Sequence, residues 1–210
     1  MRRTRVAGPV GFDLDLTLIN SRPAIMAAWS AVAKEHGVHI DLVEVDTRMG
    51  IKLEDEASYW FPADMQQAAA DSYRRHYLRL VPTGTLPLPG AAEALSAVRL
   101  AGERAVIVTA KHPVSVWPSL AAVDLVADEI FAHVHGPEKA TVLADIGAAV
   151  YVGDTPADMV AGRDSGALAV GVPTGSFGAD ELTATGAHVV LDSLLEFPSW
   201  YSDFRGHGRV

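Results

Sequence analysis

The chain of 210 residues contains no cysteine, which excludes a disulfide framework, thiolate catalysis and any cysteine-based zinc site. Basic residues are also scarce. Seventeen Lys and Arg stand against 26 Asp and Glu, a formal net charge of -9. Nucleic-acid backbones and anionic membranes select for surplus Lys and Arg, so neither is expected as a partner. Long apolar runs are missing as well. None approaches the roughly 20 residues that span a bilayer, and the apolar run behind the basic start MRRTR is too short for a secretion signal. MRRTR is therefore expected to be a short exposed tail on a soluble, cytoplasmic chain. No protein partner is implied, and a small molecule is the expected ligand.

What is present is apolar: 49% of the residues are hydrophobic, enough for a substantial core. From Gly84 onward, short runs rich in Val and Ile alternate with Ala-rich stretches of helical spacing, the pattern of a layered α/β domain. Strands are expected at 10–14, 105–109, 149–153, 167–172 and 188–191, with a weaker one at 130–133. Unbroken apolar runs of this kind suit a buried parallel sheet. Between the first two strands, 21–81 has helical patterns at 24–36 and 64–80 and no convincing strand. Gly37 suits the end of the first helix. The block carries Trp29, Tyr59, Trp60, Phe61, Tyr73 and Tyr77, most of which are expected to form a small core of its own. The stretch PTGTLPLPG, 82–90, has the Pro and Gly density of a return linker.

Chemistry-bearing residues fall at the strand and helix ends. Asp13 and Asp15 stand two apart where the first strand ends, so their carboxylates start from one face. Thr109 ends the run AVIVT. Lys139 opens the helical stretch PEKATVLADI, and Asp154 and Asp158 follow AVYVG in GDTPAD. Each has an ordinary explanation when taken singly: wet acids on a strand edge, a strand threonine, a surface lysine, a helix-capping acid. Together they put an acid pair, a hydroxyl, an ammonium and a second acid pair, in order, where ligands bind in open α/β sheets. Phosphoryl transfer needs such a set: a nucleophile, a proton donor, donors for the phosphoryl oxygens and carboxylates for a hard cation.

These motifs resemble the haloacid dehalogenase superfamily, whose phosphatases carry Asp-X-Asp-X-Thr, then Ser or Thr, then Lys, then an acidic Gly-Asp motif. The matching residues are Asp13, Asp15 and Thr17, then Thr109, Lys139, and Asp154 with Asp158. FDLDLTLINS is similar to the opening of the phosphoglycolate phosphatase-like branch, where a helical insert follows the first motif. The departure is Leu16, where glycine is usual. The resemblance implies a Rossmann-like parallel-sheet core (1–20 and 82–210) with an inserted helical cap (21–81), and a phosphatase acting on a small phosphorylated metabolite. It casts Asp13 as nucleophile and Asp15 as general acid and base. Thr109, the Ala110 amide and Lys139 would grip the phosphoryl oxygens. Magnesium would be held by Asp13, the Asp15 backbone carbonyl and Asp154, with Asp158 orienting a metal-bound water. TRMG, 47–50, resembles a cap substrate loop in which Arg48 pairs with a carboxylate or second phosphate, and Lys111 is a weaker candidate from the core side. His133 and His135, lacking a third ligand at a suitable spacing, are expected to be structural.

Four other readings use similar residues. A sugar phosphomutase would return the phosphoryl group to a sugar instead of water. A dehalogenase does not use a second acid at the place of Asp15. A receiver-type signalling domain puts its phosphoacceptor on a later strand and lacks a helical insert, and a silent phosphate-binding protein would not need every reacting group.

Overall fold

The computed structural model describes residues 7–207; the basic start MRRTR lies outside the described residues. Its elements run β1 (Val10–Phe12), β2 (Ile19–Asn20), α1 (Arg22–His36), α2 (Leu42–Thr47), α3 (Leu53–Trp60), α4 (Gln66–Gly84) and β3 (Leu86–Pro87). There follow α5 (Ala91–Leu100), β4 (Ala105–Thr109), α6 (Pro113–Ala122), β5 (Glu129–Ala132), α7 (Pro137–Asp145) and β6 (Val150–Gly153). The chain closes with α8 (Pro156–Asp164), β7 (Leu168–Gly171), α9 (Ala179–Ala184), β8 (Val189–Val190) and α10 (Phe197–His207).

Six strands pair in the order β5-β4-β1-β6-β7-β8, all parallel. β1 is central and fully buried, as its unbroken apolar run requires. Alternation along the strands sends Phe12, Ile107 and Val152 into a cluster with Leu95 and Phe197, while Val106, Val108 and Tyr151 meet Leu143 on the other face. Phe12 is in register with Ile107 of β4 and Val152 of β6. The three strands therefore end side by side, and the residues just beyond them share one crevice. The chain leaves β1 for neighbours on opposite sides, the arrangement at which open α/β sheets bind ligands.

All six expected strands are found, trimmed by one or two residues at several ends. Helix α1 ends at Gly37, whose φ of 67° is the left-handed cap that glycine supplies. Helices α1 to α4 bury Trp29, Val32, Val45 and Phe61 in a cluster separate from the sheet core. Tyr59 departs from the expected aromatic core, with 51% of its surface exposed, and Tyr77 packs instead with Ala24, Ala28 and Val81. The short α2 and α3 were not evident from periodicity, because six and eight residues give too few turns to show it.

The expected linker at 82–90 needs correction. Helix α4 runs through Pro82 to Gly84, and Leu86–Pro87 pair antiparallel with Ile19–Asn20. Pro82 sits in the last turn, where a lost amide donor interrupts little of the ladder. Both ends of the helical block are thus tied together at its base. No described helix is long and apolar enough to cross a membrane.

Gly90 shows how closely the return segment packs. Its φ is 87°, and a Cβ there would overlap the backbone of Leu194 and Leu195. Gly90→Ala should lower unfolding free energy by about 3 kcal/mol or more, combining left-handed strain with a backbone clash. Urea unfolding checks this; a loss under about 1 kcal/mol would show that the segment yields easily.

Candidate active site

Asp13 leaves β1 with its amide donating to the Val152 carbonyl at 2.8 Å, so the adjacent strand fixes its backbone. Lys139, in the first turn of α7, reaches it: Nζ donates to Asp13 Oδ1 at 2.8 Å and to Asp158 Oδ1 at 2.7 Å. Asp158 is committed elsewhere too. Its Oδ2 accepts from the Thr155 hydroxyl at 2.6 Å and the Thr155 amide at 3.2 Å, and the Tyr151 hydroxyl donates to Oδ1 at 3.0 Å. Thr155 answers by accepting from the Asp158 amide, which makes a capping box at the start of α8. The cap is therefore Thr155, and Asp154 is free for another task. Asp154 Oδ1 accepts from the Thr17 hydroxyl at 2.9 Å.

Three buried carboxylates thus cluster about one buried ammonium, which bonds two of them, Asp13 and Asp158. Burial pushes the Asp13 carboxyl up to about 7, opposed by Lys139 and reinforced by Asp158. Burial, with repulsion from Asp13 and Asp158, holds Asp154 well above the usual carboxylate range. Burial also pushes Asp158 upward, but Lys139 and its hydrogen bonds outweigh this and leave it below the usual range. Burial disfavours the charged form of Lys139, yet Asp13 and Asp158 keep it charged. The site is short of positive charge.

A divalent cation fits that shortfall. Oxygens of Asp13, Asp154 and Asp158 lie within 4.8 Å of one another. Both Asp158 oxygens are engaged, whereas Asp13 Oδ2 and Asp154 Oδ2 accept no hydrogen bond among the described residues. A Cβ at Gly175 would overlap Asp154 Oδ2, so the glycine keeps that oxygen unobstructed. An all-oxygen set suits a hard ion such as magnesium.

Asp15 is held differently from Asp13. Its Oδ1 accepts from Lys111 Nζ at 2.7 Å and from the Ser21 hydroxyl, and Lys111 lies 4.5 Å above the Tyr77 ring. Thr109 ends β4 fully buried, its hydroxyl accepting from the Lys111 amide at 3.1 Å. Arg48 follows α2; its Nε donates to Glu56 Oε2 at 2.9 Å, and its guanidinium lies 3.8 Å over Tyr59. One cavity is lined by Asp13, Asp15, Thr109, Ala110, Lys111 and Arg48, while Lys139, Asp154 and Asp158 stand around Asp13. All the residues singled out from the sequence therefore converge. His133 faces Glu54 at 3.1 Å and His135 the Gly50 carbonyl at 2.9 Å, as expected of structural histidines.

Tyr151 and Glu56 join these residues without a signal in the sequence. Tyr151 lies inside an apolar strand run and Glu56 in an acidic helix turn, and neither context signals a role. Leu16 now has an explanation. Its φ is 61°, the left-handed region where glycine is favoured, and its carbonyl accepts from Thr174. The strain costs about 1 to 2 kcal/mol. Burial of the side chain, 2% exposed, offsets it with about 1.5 to 3 kcal/mol.

Residues 10–142 match the family model of haloacid dehalogenase-like hydrolases. The chain belongs to this family. Residues 124–197 match a second, HAD-hydrolase-like model. Among family relatives, the phosphoglycolate phosphatase of Caulobacter vibrioides is 28% identical over 90% of this chain and 88% of its own length. The probable phosphatase IndB of Dickeya dadantii is 25% identical, covering 88% of this chain and 89% of that protein. The solved structure of a hydrolase from Pseudomonas syringae superposes with a TM-score of 0.79 at 22% identity, over 94% of this chain and 99% of that one, and shows the shared haloacid dehalogenase fold.

Two outcomes follow from this geometry. Leu16→Gly should destabilise by about 1 to 2 kcal/mol, since the lost burial and the added freedom of the unfolded chain outweigh the strain relieved; a gain in stability would contradict this. Magnesium at a hundredfold excess over its dissociation constant should add about 2.7 kcal/mol to stability. Differential scanning calorimetry should show a raised midpoint in the parent, and Asp154→Asn should remove the increment. An equal rise in that variant would place the cation elsewhere.

Proposed function

We propose that the chain is a magnesium-dependent phosphatase that hydrolyses a small phosphomonoester through an aspartyl phosphate on Asp13. The observation that carries this reading is Lys139 bridging Asp13 and Asp158, beside the cavity that also receives Asp15, Thr109 and Ala110. An Asp13 oxygen attacks phosphorus in line, the bond from phosphorus to the ester oxygen breaks, and Asp15 gives that oxygen a proton. With its role reversed, Asp15 takes a proton from the water that hydrolyses the intermediate. Thr109, the Ala110 amide and Lys139 hold the phosphoryl oxygens, whose charge is greatest in the transition state. Asp13, Asp154 and the Asp15 carbonyl would hold magnesium, which would supply positive charge for Asp13 and the phosphoryl oxygens. Asp158, with both oxygens engaged, orients the groups around it instead of binding the ion.

Residues 21–81 act as a cap over a core made of 1–20 and 82–210. Contacts between Lys52 and Glu138 (2.7 Å) and between Tyr77 and Ser119 (3.0 Å) support closure of the helical block over the crevice. The cavity has a volume of about 90 Å³. A small phosphomonoester agrees with the named activity of the Caulobacter relative.

Asp13→Asn should abolish phosphate release from a generic aryl phosphate while the fold persists, a loss of at least about a thousandfold. Activity within tenfold of the parent would contradict the assignment. Interconversion of sugar phosphates with little free phosphate would point to a phosphomutase instead.

A further inference from the structure

The cavity that receives Asp13, Asp15 and Thr109 from the sheet has a largely apolar wall on the side of the helical block. Ile25 and Trp29 of α1, Val45 of α2 and Leu53 of α3 line it, with Met49 and Ile51 from the loop between α2 and α3. The first four also belong to the block's own cluster. Met49 and Ile51 differ. Both are half-buried, yet they join none of the hydrophobic clusters among the described residues. An apolar side chain in a cavity wall without a packing partner gains from an apolar ligand that takes the place of water.

The cations of the cavity do not favour a second anion beside the phosphoryl group, because each already has an acid. Arg48 Nε donates to Glu56 Oε2 at 2.9 Å, and Lys111 Nζ to Asp15 Oδ1 at 2.7 Å. Glu56 is 6% exposed and also accepts from the Trp60 indole at 2.6 Å. An anion drawn to Arg48 would face the Glu56 carboxylate, and one drawn to Lys111 would face Asp15. Like charges are poorly screened inside a protein. A neutral group avoids both repulsions.

We propose that the cavity selects phosphomonoesters of small, uncharged, apolar alcohols, with Met49 and Ile51 against the carbon chain of the alcohol while its phosphoryl group faces Asp13. The occupant follows from continuity: the apolar wall and the two aspartates of β1's end line one cavity, so whatever covers Met49 and Ile51 is joined to the group that reacts. This rests on the phosphatase reading above and adds the substrate class and the residues that set it. Each methyl or methylene buried there is worth about fourfold in kcat/KM.

Isobutyl phosphate and phosphoglycolate share one branched skeleton, with methyls in the first where the second has carboxylate oxygens. The parent should favour isobutyl phosphate in kcat/KM by about tenfold or more. From ethyl through propyl to butyl phosphate, kcat/KM should rise about fourfold with each methylene. Met49→Gln and Ile51→Thr should each lower that slope, and the two together should bring it below about twofold. Circular dichroism checks that the variants fold, and the single variants decide the matter if the double one does not. A flat series in the parent, a preference for phosphoglycolate, or a slope unchanged in the folded variants overturns the proposal and leaves the phosphatase reading standing. No phosphate released from any of these esters or from an aryl phosphate overturns both.

Discussion

The ammonium of Lys139 between Asp13 and Asp158 is the interaction on which the site depends. Three buried carboxylates repel one another, and in the interior such repulsion is screened far less than in water. One lysine from α7 permits two of them to stand close, and Asp158 is further fixed by Thr155 and Tyr151. The arrangement still lacks positive charge. Burial, reinforced by repulsion among the acids, raises Asp13 and Asp154, and the shortfall gives a divalent ion a reason to bind. Structural and catalytic demands meet here: the same lysine that makes the acid cluster tolerable faces the phosphoryl group in the proposed reaction.

The parallel sheet makes this juxtaposition possible. Because β4, β1 and β6 lie side by side and in register, residues separated by over a hundred positions arrive at one edge. The turn after Asp13 is shaped as tightly. Leu16 accepts a left-handed backbone, and the loop carrying Thr174 and Gly175 packs against both that turn and Asp154. A glycine would meet the backbone requirement without strain, but it would leave the space under the turn unfilled.

Much of this was legible from residue order. The strands showed as unbroken Val- and Ile-rich runs, and the reacting residues showed because they follow those runs at successive ends. The helical block showed by its lack of strand pattern. What periodicity could not reveal were short elements and side-chain partners. Helices α2 and α3 have too few turns to display a face, and the β2–β3 pair has two residues a side. Glu56 reads as one acid among several in EDE until α3 turns it onto Arg48. Tyr151 reads as a core aromatic until its hydroxyl is seen against Asp158. Lys111 was visible as a candidate, but its contact with Asp15 depends on two loops meeting from strands that are neighbours only in space.

In the proposed reaction Asp13 itself carries the phosphoryl group. Borohydride added during turnover reduces an acyl phosphate to an alcohol, converting the modified aspartate to homoserine. Peptide mass spectrometry should find homoserine at position 13 when substrate and magnesium are both present, and not when either is withheld. Phosphate release that proceeds with residue 13 unmodified, or with the label on another acid, would contradict the central claim.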